Sequence, residues 1–207
     1  MLWVASEKIH GSNFSVHVFG NFAKYGRRSD FITKEIPLPL ENVNKIDEYF
    51  IESFYDARNI VKGFHNNLSD VWKALSEDFP EMNRFSLFGE YFGGNWPAEH
   101  KLAIKDGPKH IQQGIYYTPK HEFMAFDIYV CLKDQSFWVD VTDLPKYLGG
   151  HVKSVPVHAK GTFKDVFAID TKIDSTIPEI LGLERLEKNL IEGMVIRPNK
   201  SLKDAHQ

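Results

Sequence analysis

A lysine between two short apolar segments constrains this chain more than any other feature. Leu2-Trp3-Val4-Ala5 reads as a strand and Ser6 to Gly11 as a charged turn around Lys8. Phe14, Val16 and Val18 then alternate with Ser15, His17 and Phe19, the two-residue period of a half-buried strand. A lysine in such a connection projects from a rigid platform rather than from a mobile loop. Gly11 lets the backbone turn tightly and lets a ligand come close to it. The pattern suits an amine held against an incoming phosphate. It also suits a solvated lysine beside a turn, and these residues alone leave both readings open.

At 207 residues the chain suits one large domain, and 16 Phe with a 43% hydrophobic content are enough for a real core and argue against general disorder. The net charge of −3 carries no overall basic signature, so a nucleic-acid partner would have to meet positive charge gathered on one face. The single cysteine, Cys131, lies in an apolar run. It excludes an internal disulfide, reads as a buried thiol and fits a reducing compartment. No apolar run approaches the roughly 18 residues that span a bilayer, and the charges at Glu7 and Lys8 come too early for a secretory signal. The expectation is a soluble, intracellular protein without membrane contact.

Residues 20–34 carry Gly20, Gly26 and a cationic cluster of Lys24, Arg27, Arg28 and Lys34. On charge alone this is a solvated loop; phosphate contact is the sharper reading. Pro37 and Pro39 mark a connector. Ile46, Tyr49, Phe50, Phe54, Ala57, Ile60 and Val61 recur at helical spacing and predict one amphipathic helix, interrupted at Gly63 and Asn66-Asn67 and followed by a second over Leu68 to Leu75. Arg84 to Phe92 reads as a strand ending at Gly93-Gly94. The polar stretch 95–114 holds His100 and His110 without other ligands at zinc spacing. Ile115-Tyr116-Tyr117 and Phe123 to Leu132 read as two strands of a hairpin turning at Pro119-Lys120-His121, the second apolar on both faces and so central. Short helices and connectors follow over 143–190, and Leu190 to Ile196 is the last strand. Strands and helices mix without strict βαβ alternation, so the predicted class is α+β with mostly antiparallel sheets and flanking helices.

Four stretches, taken together, carry a resemblance: Glu7-Lys8-Ile9-His10-Gly11, Phe88-Gly89-Glu90-Tyr91-Phe92-Gly93, Phe123-Met124-Ala125-Phe126-Asp127-Ile128 and Glu192-Gly193-Met194-Val195-Ile196-Arg197-Pro198. In order and spacing they resemble motifs I, III, IIIa and IV of the covalent nucleotidyltransferases, the ligases and mRNA-capping enzymes. DNA ligases and capping enzymes carry Lys-x-Asp-Gly-x-Arg, whereas here His10 and Asn13 stand at the Asp and Arg positions. Lys-Ile-His-Gly followed by Asn-Phe, with Gln113-Gly114-Ile115-Tyr116-Tyr117 and Pro119 before motif IIIa, is similar to the RNA ligase 2 and RNA-editing ligase branch. The resemblance implies the adenylyltransferase fold of the ATP-grasp-like ligase and capping-enzyme type, with residues 1–207 as a single nucleotidyltransferase domain.

It also implies a reaction. A lysine attacks the α-phosphate of ATP and releases pyrophosphate, AMP passes from that lysine to an RNA 5′-phosphate, and a 3′-OH displaces AMP to seal the ends. The first step asks for a lysine stripped of its proton, against an ordinary pKa of about 10.4, and for Lys, Arg or Mg²⁺ (or Mn²⁺) around the phosphorus oxygens. Matched position by position, Lys8 is the nucleophile. Ile9, His10 and Gly11 form the nucleotide-binding segment with it, His10 toward the phosphates. Glu90 takes the ribose, and Phe126 stacks on adenine, although its residue pattern alone fits ordinary strand core equally well. Asp127 and Glu192 are acids in apolar strands, where an idle charge is expensive. Glu192 is assigned to the metal or to the lysine, and Asp127 to a supporting polar role. Arg28 is assigned to phosphate and Asn13 to the RNA 5′-phosphate.

The family pattern adds a Lys-x-Lys element, motif V, a couple of dozen residues after motif IV. Nine residues follow Pro198, and Lys200 and Lys203 are too close to motif IV to serve as that element. The expectation is an adenylylation domain without motif V or a C-terminal domain. The partners implied are ATP and RNA ends, with nicked duplexes foremost. The competing readings are a catalytically weak nucleotide- or RNA-binding ligase-like module and, against the identities of His10 and Asn13, an ATP-dependent DNA ligase or a capping enzyme.

Overall fold

The computed structural model describes residues 1–105 and 107–200, so Lys203 lies outside the described residues. In chain order the strands are β1 (Trp3–Glu7), β2 (Ser12–Val18), β3 (Phe22–Arg27), β4 (Ile36–Pro37), β5 (Met82–Asn95), β6 (Thr118–Leu132), β7 (Ser136–Trp138), β8 (Lys153–Ser154), β9 (Val157–Gly161) and β10 (Met194–Pro198). The α-helices are α1 (Ala57–Phe64), α2 (Leu68–Asp78), α3 (Leu144–Leu148), α4 (Phe163–Phe167) and α5 (Ile177–Ile180). Two sheets form. A seven-stranded sheet runs β4-β3-β2-β5-β6-β7 with β8 added beside β6, and a three-stranded sheet runs β10-β1-β9. All the pairings are antiparallel except β6 with β8. The α+β class with mostly antiparallel sheets is therefore what the chain adopts.

The alternation read around Phe14 sorts the large sheet into two faces. Phe14, Val16 and Val18 of β2, Phe85 and Leu87 of β5, and Ile128 and Val130 of β6 point inward and are buried against Val61, Leu68, Val71 and Leu75 of α1 and α2. Burying a side chain of this size contributes about 1.5–3 kcal/mol, so this one-sided core holds the helices on the sheet. Ser15 and His17 point the other way.

The structure departs from the sequence reading wherever a distant partner outbids local preference. The apolar stripe from Ile46 to Val61 is not one helix. A 3₁₀ helix covers Val43–Tyr49, and α1 begins only at Ala57. Between them Phe50 bridges Thr33, and Ile51 N–H donates to the Ile32 carbonyl at 2.9 Å, so the backbone pairs with the 32–34 segment instead of with itself. Residues 20–34 are not simply a loop, since they contain β3. Gly93-Gly94 does not end β5, because positive φ values of 98° and 80° let the strand bend and stay paired to Asn95. The expected hairpin at Pro119 is instead one long strand, β6. Pro119 falls where the β5–β6 register shifts between Gly93 and Asn95, so its missing N–H costs no ladder bond. Residues 115–117 are irregular, β9 joins the small sheet from within the expected helical region, and the last strand starts at Met194 rather than Leu190.

A second register shift, between Phe88 and Gly89, matters more for function. Phe88 pairs with Asp127 and Gly89 with Ala125, which leaves Phe126 as the extra residue of a β-bulge. Before the bulge Phe123 and Ala125 face the helices, and after it Ile128 and Val130 do. Phe126 and Asp127 are thereby both turned to the opposite face. Gly89 makes room for the bulge. A Cβ there would lie 2.2 Å from the Met124 carbonyl oxygen and 2.4 Å from the Phe123 ring. Gly89→Ala is expected to destabilise the fold by about 1–3 kcal/mol through overpacking, read as a lower urea midpoint at unchanged slope. A midpoint equal to the parent's would show that the bulge tolerates a side chain.

Candidate active site

Lys8 lies where the chain leaves one sheet for the other. The last residue of β1 is Glu7 and the first of β2 is Ser12, so residues 8–11 form a crossing between the small and large sheets. Backbone bonds hold both sides of the crossing. Glu7 N–H donates to the Pro156 carbonyl and Lys8 N–H to the Gly193 carbonyl, each at 3.0 Å. His10 N–H donates to the Tyr117 hydroxyl at 3.0 Å. Tyr117 is buried, packs edge-on against Phe92, and its hydroxyl is held well above the usual tyrosine range by burial. Gly11 is required by the packing of the protein itself. Its backbone lies so close to β5 that a Cβ would meet the Tyr91 carbonyl oxygen at 2.4 Å and the Glu90 Cγ at 2.8 Å. The backbone around Lys8 is therefore hydrogen-bonded and closely packed on both sides of the crossing.

Beside this crossing is a cleft of about 420 Å³. Lys8, Ile9, His10, Gly11, Glu90, Phe126, Asp127 and Glu192 all line it, although they come from β5, β6, the crossing and the turn before β10. The Lys8 ammonium contacts the Glu192 carboxylate, with 52% of the lysine side chain still exposed, so Nζ is both oriented and reachable. Asn13 and Arg28 do not line that cleft. They line an adjoining groove of about 650 Å³ that shares Gly11 and Glu90 with it.

Three features were missed by reading the sequence. Arg197 lines the cleft, pairs with Asp127 at 2.7 Å and also contacts the Phe126 carbonyl. It fixes the bulge and answers the charge that made Asp127 look expensive. Burial still raises the Asp127 pKa, while Arg197 works to lower it. Glu7 is 1% exposed and accepts from Ser175 Oγ at 2.5 Å, from the Thr176 N–H and hydroxyl at 3.3 Å, and lies 3.2 Å from His158 Nε2. It clamps the 158–176 segment to the strand that ends at the lysine. The same cost of an acid in an apolar strand could have flagged it. The third is Val195, an apolar wall of the cleft exposed on its rim.

The carboxylates set the electrostatics. Glu90 is pushed up to about 7, first by burial and then by the Glu192 charge, with the Lys8 ammonium and the Gly11 backbone N–H opposing. Among the described residues no group of three or more His, Cys, Asp or Glu forms a metal cage. Glu192, on the cleft wall, suits a hard cation of the kind held by one carboxylate and completed by substrate phosphates. No described helix is long and apolar enough to cross a membrane.

A family model described as RNA ligase matches residues 1–206. RNA-editing ligase 1, mitochondrial, of Trypanosoma brucei brucei is 24% identical over 228 residues, an alignment that covers 94% of this chain and 44% of that protein. The chain thus spans about half the length of the curated relatives it matches. A mutant of Naegleria gruberi RNA ligase solved with ATP and Mn superposes with a TM-score of 0.50 at 16% identity, covering 96% of this chain and 47% of that one, and shares its fold.

Because Glu90 keeps its proton at pH values where an unfolded glutamate has lost it, the stability that Glu90 contributes should fall as pH rises from about 4.5 to about 7. Glu90→Gln cannot ionise and escapes that loss. The Tm of the variant minus that of the parent is expected to grow between about pH 5 and about pH 8 in thermal scans. Parallel curves would mean that Glu90 titrates as an ordinary carboxylate.

Proposed function

The chain belongs to the RNA ligase family, and on that premise we propose that it is an ATP-dependent RNA ligase domain that joins 3′-OH and 5′-phosphate ends through an adenylate carried on Lys8. The observation that supports this most is the meeting of Lys8, Glu192, Glu90 and Phe126 in one cleft although 184 positions separate the first two. An ordinary surface lysine has no reason to be surrounded in this way.

The residues divide the work by chemistry. Glu192 is the carboxylate in contact with Nζ, so it aims the amine and is the acceptor nearest its proton. In the first step the Nζ lone pair bonds to the α-phosphorus of ATP as the bond to pyrophosphate breaks. Phe126, turned into the cleft by its bulge, offers a ring face to adenine. Glu90, near half-protonated at neutral pH, can accept from or donate to a ribose hydroxyl. Glu192 would hold Mg²⁺ or Mn²⁺, whose chemistry there is to neutralise charge on the phosphate oxygens. His10 lines the phosphate side, and Asn13 and Arg28, in the adjoining groove, take the 5′-phosphate of the RNA that accepts AMP. A nicked duplex suits this arrangement because the 3′-OH must then reach the same phosphate. Residues 1–207 act as one adenylylation domain in this reading.

Intact-mass measurement after incubation with ATP and Mg²⁺ tests it. The parent is expected to gain an AMP-sized adduct that GTP does not give, and Lys8→Ala is expected to gain none. An adduct of equal yield on the variant would remove Lys8 from the role, and labelling by GTP would move the chain to capping chemistry. Phe126→Ala is expected to raise the ATP concentration for half-maximal adduct formation roughly tenfold, the size of a lost base–aromatic stack. An unchanged value would place adenine elsewhere.

A further inference from the structure

The outer face of the large sheet carries a row of rings outside the cleft. Phe31 meets His17 edge-on at 5.2 Å between centroids, His17 meets Phe88 at 5.7 Å, Phe88 meets Trp138 at 5.5 Å, and Trp138 meets Tyr129 at 4.7 Å. The row runs across the strands, from the segment after β3 through β2 and β5 to β7 and β6. Local alternation puts it there. Phe137 turns inward against Phe79 while Trp138 turns outward, and His17 opposes the buried Val16 and Val18. Phe31 and Trp138 remain 40% and 39% exposed. Two large part-exposed rings within one contiguous row are unusual on a sheet that buries so much on its other side.

Positive charge frames the row. Lys24 Nζ sits 4.2 Å from the Phe31 ring centroid. Burial disfavours the charged form of His17, and the nearby Arg84 and Lys24 charges disfavour it further, so the ring in the middle stays neutral. Arg27 is offset by Asp30 and Glu52. The row is also continuous with the catalytic region. Phe88 is two residues from Glu90 on the same strand face and pairs across the sheet with Asp127. A groove of about 200 Å³ containing His17, Phe31 and Phe88 shares Asn13 and Arg28 with the groove that reaches Glu90.

We infer that this face is a platform for an unpaired stretch of RNA flanking the ends to be joined. Its bases lie on Phe31, Phe88 and Trp138, and its phosphates lie along Lys24, Arg84 and Arg28. Rings bind any base by its π-face, and flanking cations track the backbone, the pairing that single-strand binders use. A closed duplex hides its base faces in the stack and gains nothing from the rings. The inference rests on the ligase reading for the identity of the polymer and adds to it a second, non-catalytic contact for unpaired RNA that extends beyond a paired joint.

The test is fluorescence anisotropy of a short labelled 5′-phosphorylated oligouridylate and of a blunt RNA duplex at a common low salt concentration, extended to a salt series for the parent and Lys24→Gln. The proteins are the parent, Trp138→Leu and Phe31→Leu, in which leucine keeps apolar packing but removes the ring, and Lys24→Gln. Adduct formation with ATP is measured in parallel on each protein. The leucine variants are expected to lose roughly tenfold in affinity for the single strand, with duplex affinity and adduct yield unchanged, and Lys24→Gln to flatten the salt dependence. Equal single-strand affinity in parent and leucine variants, or no binding by the parent, would overturn the platform even if Lys8 is adenylylated. Ring-dependent strand binding without an adduct would sustain the platform and count against the ligase reading instead. A parent that sediments as a dimer, bound to no strand and dissociated by the same substitutions, would assign the row to a second copy of the chain and overturn the proposal.

Discussion

The site depends on four residues being held still between two sheets. The crossing from Lys8 to Gly11 joins the middle strand of the small sheet to an inner strand of the large one, so any slip in either sheet would move the lysine. Hydrogen bonds to Pro156, Gly193 and the Tyr117 hydroxyl fix its backbone on three sides, and the absence of a side chain at Gly11 lets β5 press against it. A buried carboxylate at Glu7, satisfied by hydroxyls and a backbone N–H from the 175–176 segment, ties a third part of the chain to the same strand. Unpaired, that acid would be costly to bury; paired, it makes the position of Lys8 a consequence of the packing of three separate segments.

Against that fixed lysine the large sheet presents chemistry through a single irregularity. A regular β6 would send Phe126 and Asp127 to opposite faces. The bulge opposite Phe88 sends both toward the cleft, and Arg197 from β10 closes over them by pairing with Asp127 and contacting the Phe126 carbonyl. The ends of the small sheet's strands thus carry Lys8, Glu192 and the Arg197 clamp, while the large sheet contributes the aromatic wall and Glu90. Burial and the neighbouring Glu192 charge raise the Glu90 pKa toward neutrality.

The alternation around Phe14 correctly gave a strand with one buried face, because a period of two survives whatever the partner. The helix at Leu68 and the strand through Arg84 to Phe92 were equally readable. The stretch from Ile46 to Val61 was not, because its apolar spacing records only that these side chains reach the core. Whether the backbone between them bonds to itself or to Ile32 is decided by a segment a dozen or more residues away. The hairpin expected at Pro119 failed for a similar reason. Proline forbids a ladder donor, but a bulge needs none there.

The sequence by itself determined which residue types could do the chemistry. A lysine before a His-Gly turn, a glutamate in Phe-Gly-Glu-Tyr, an aromatic-aspartate pair and a Glu-Gly-Met-Val strand are local facts, and in their order along the chain they resemble the motifs of the covalent nucleotidyltransferases. Only the tertiary structure decided which of them share a cleft. It separated Asn13 and Arg28 into an adjoining groove and brought in Arg197 and Glu7. It also lined up Phe31, His17, Phe88, Trp138 and Tyr129 across strands that are far apart in sequence. Those outcomes depend on register, on one extra residue in β6 and on which strand lies beside which. Such relations between distant segments leave no local pattern of residues from which they could be read.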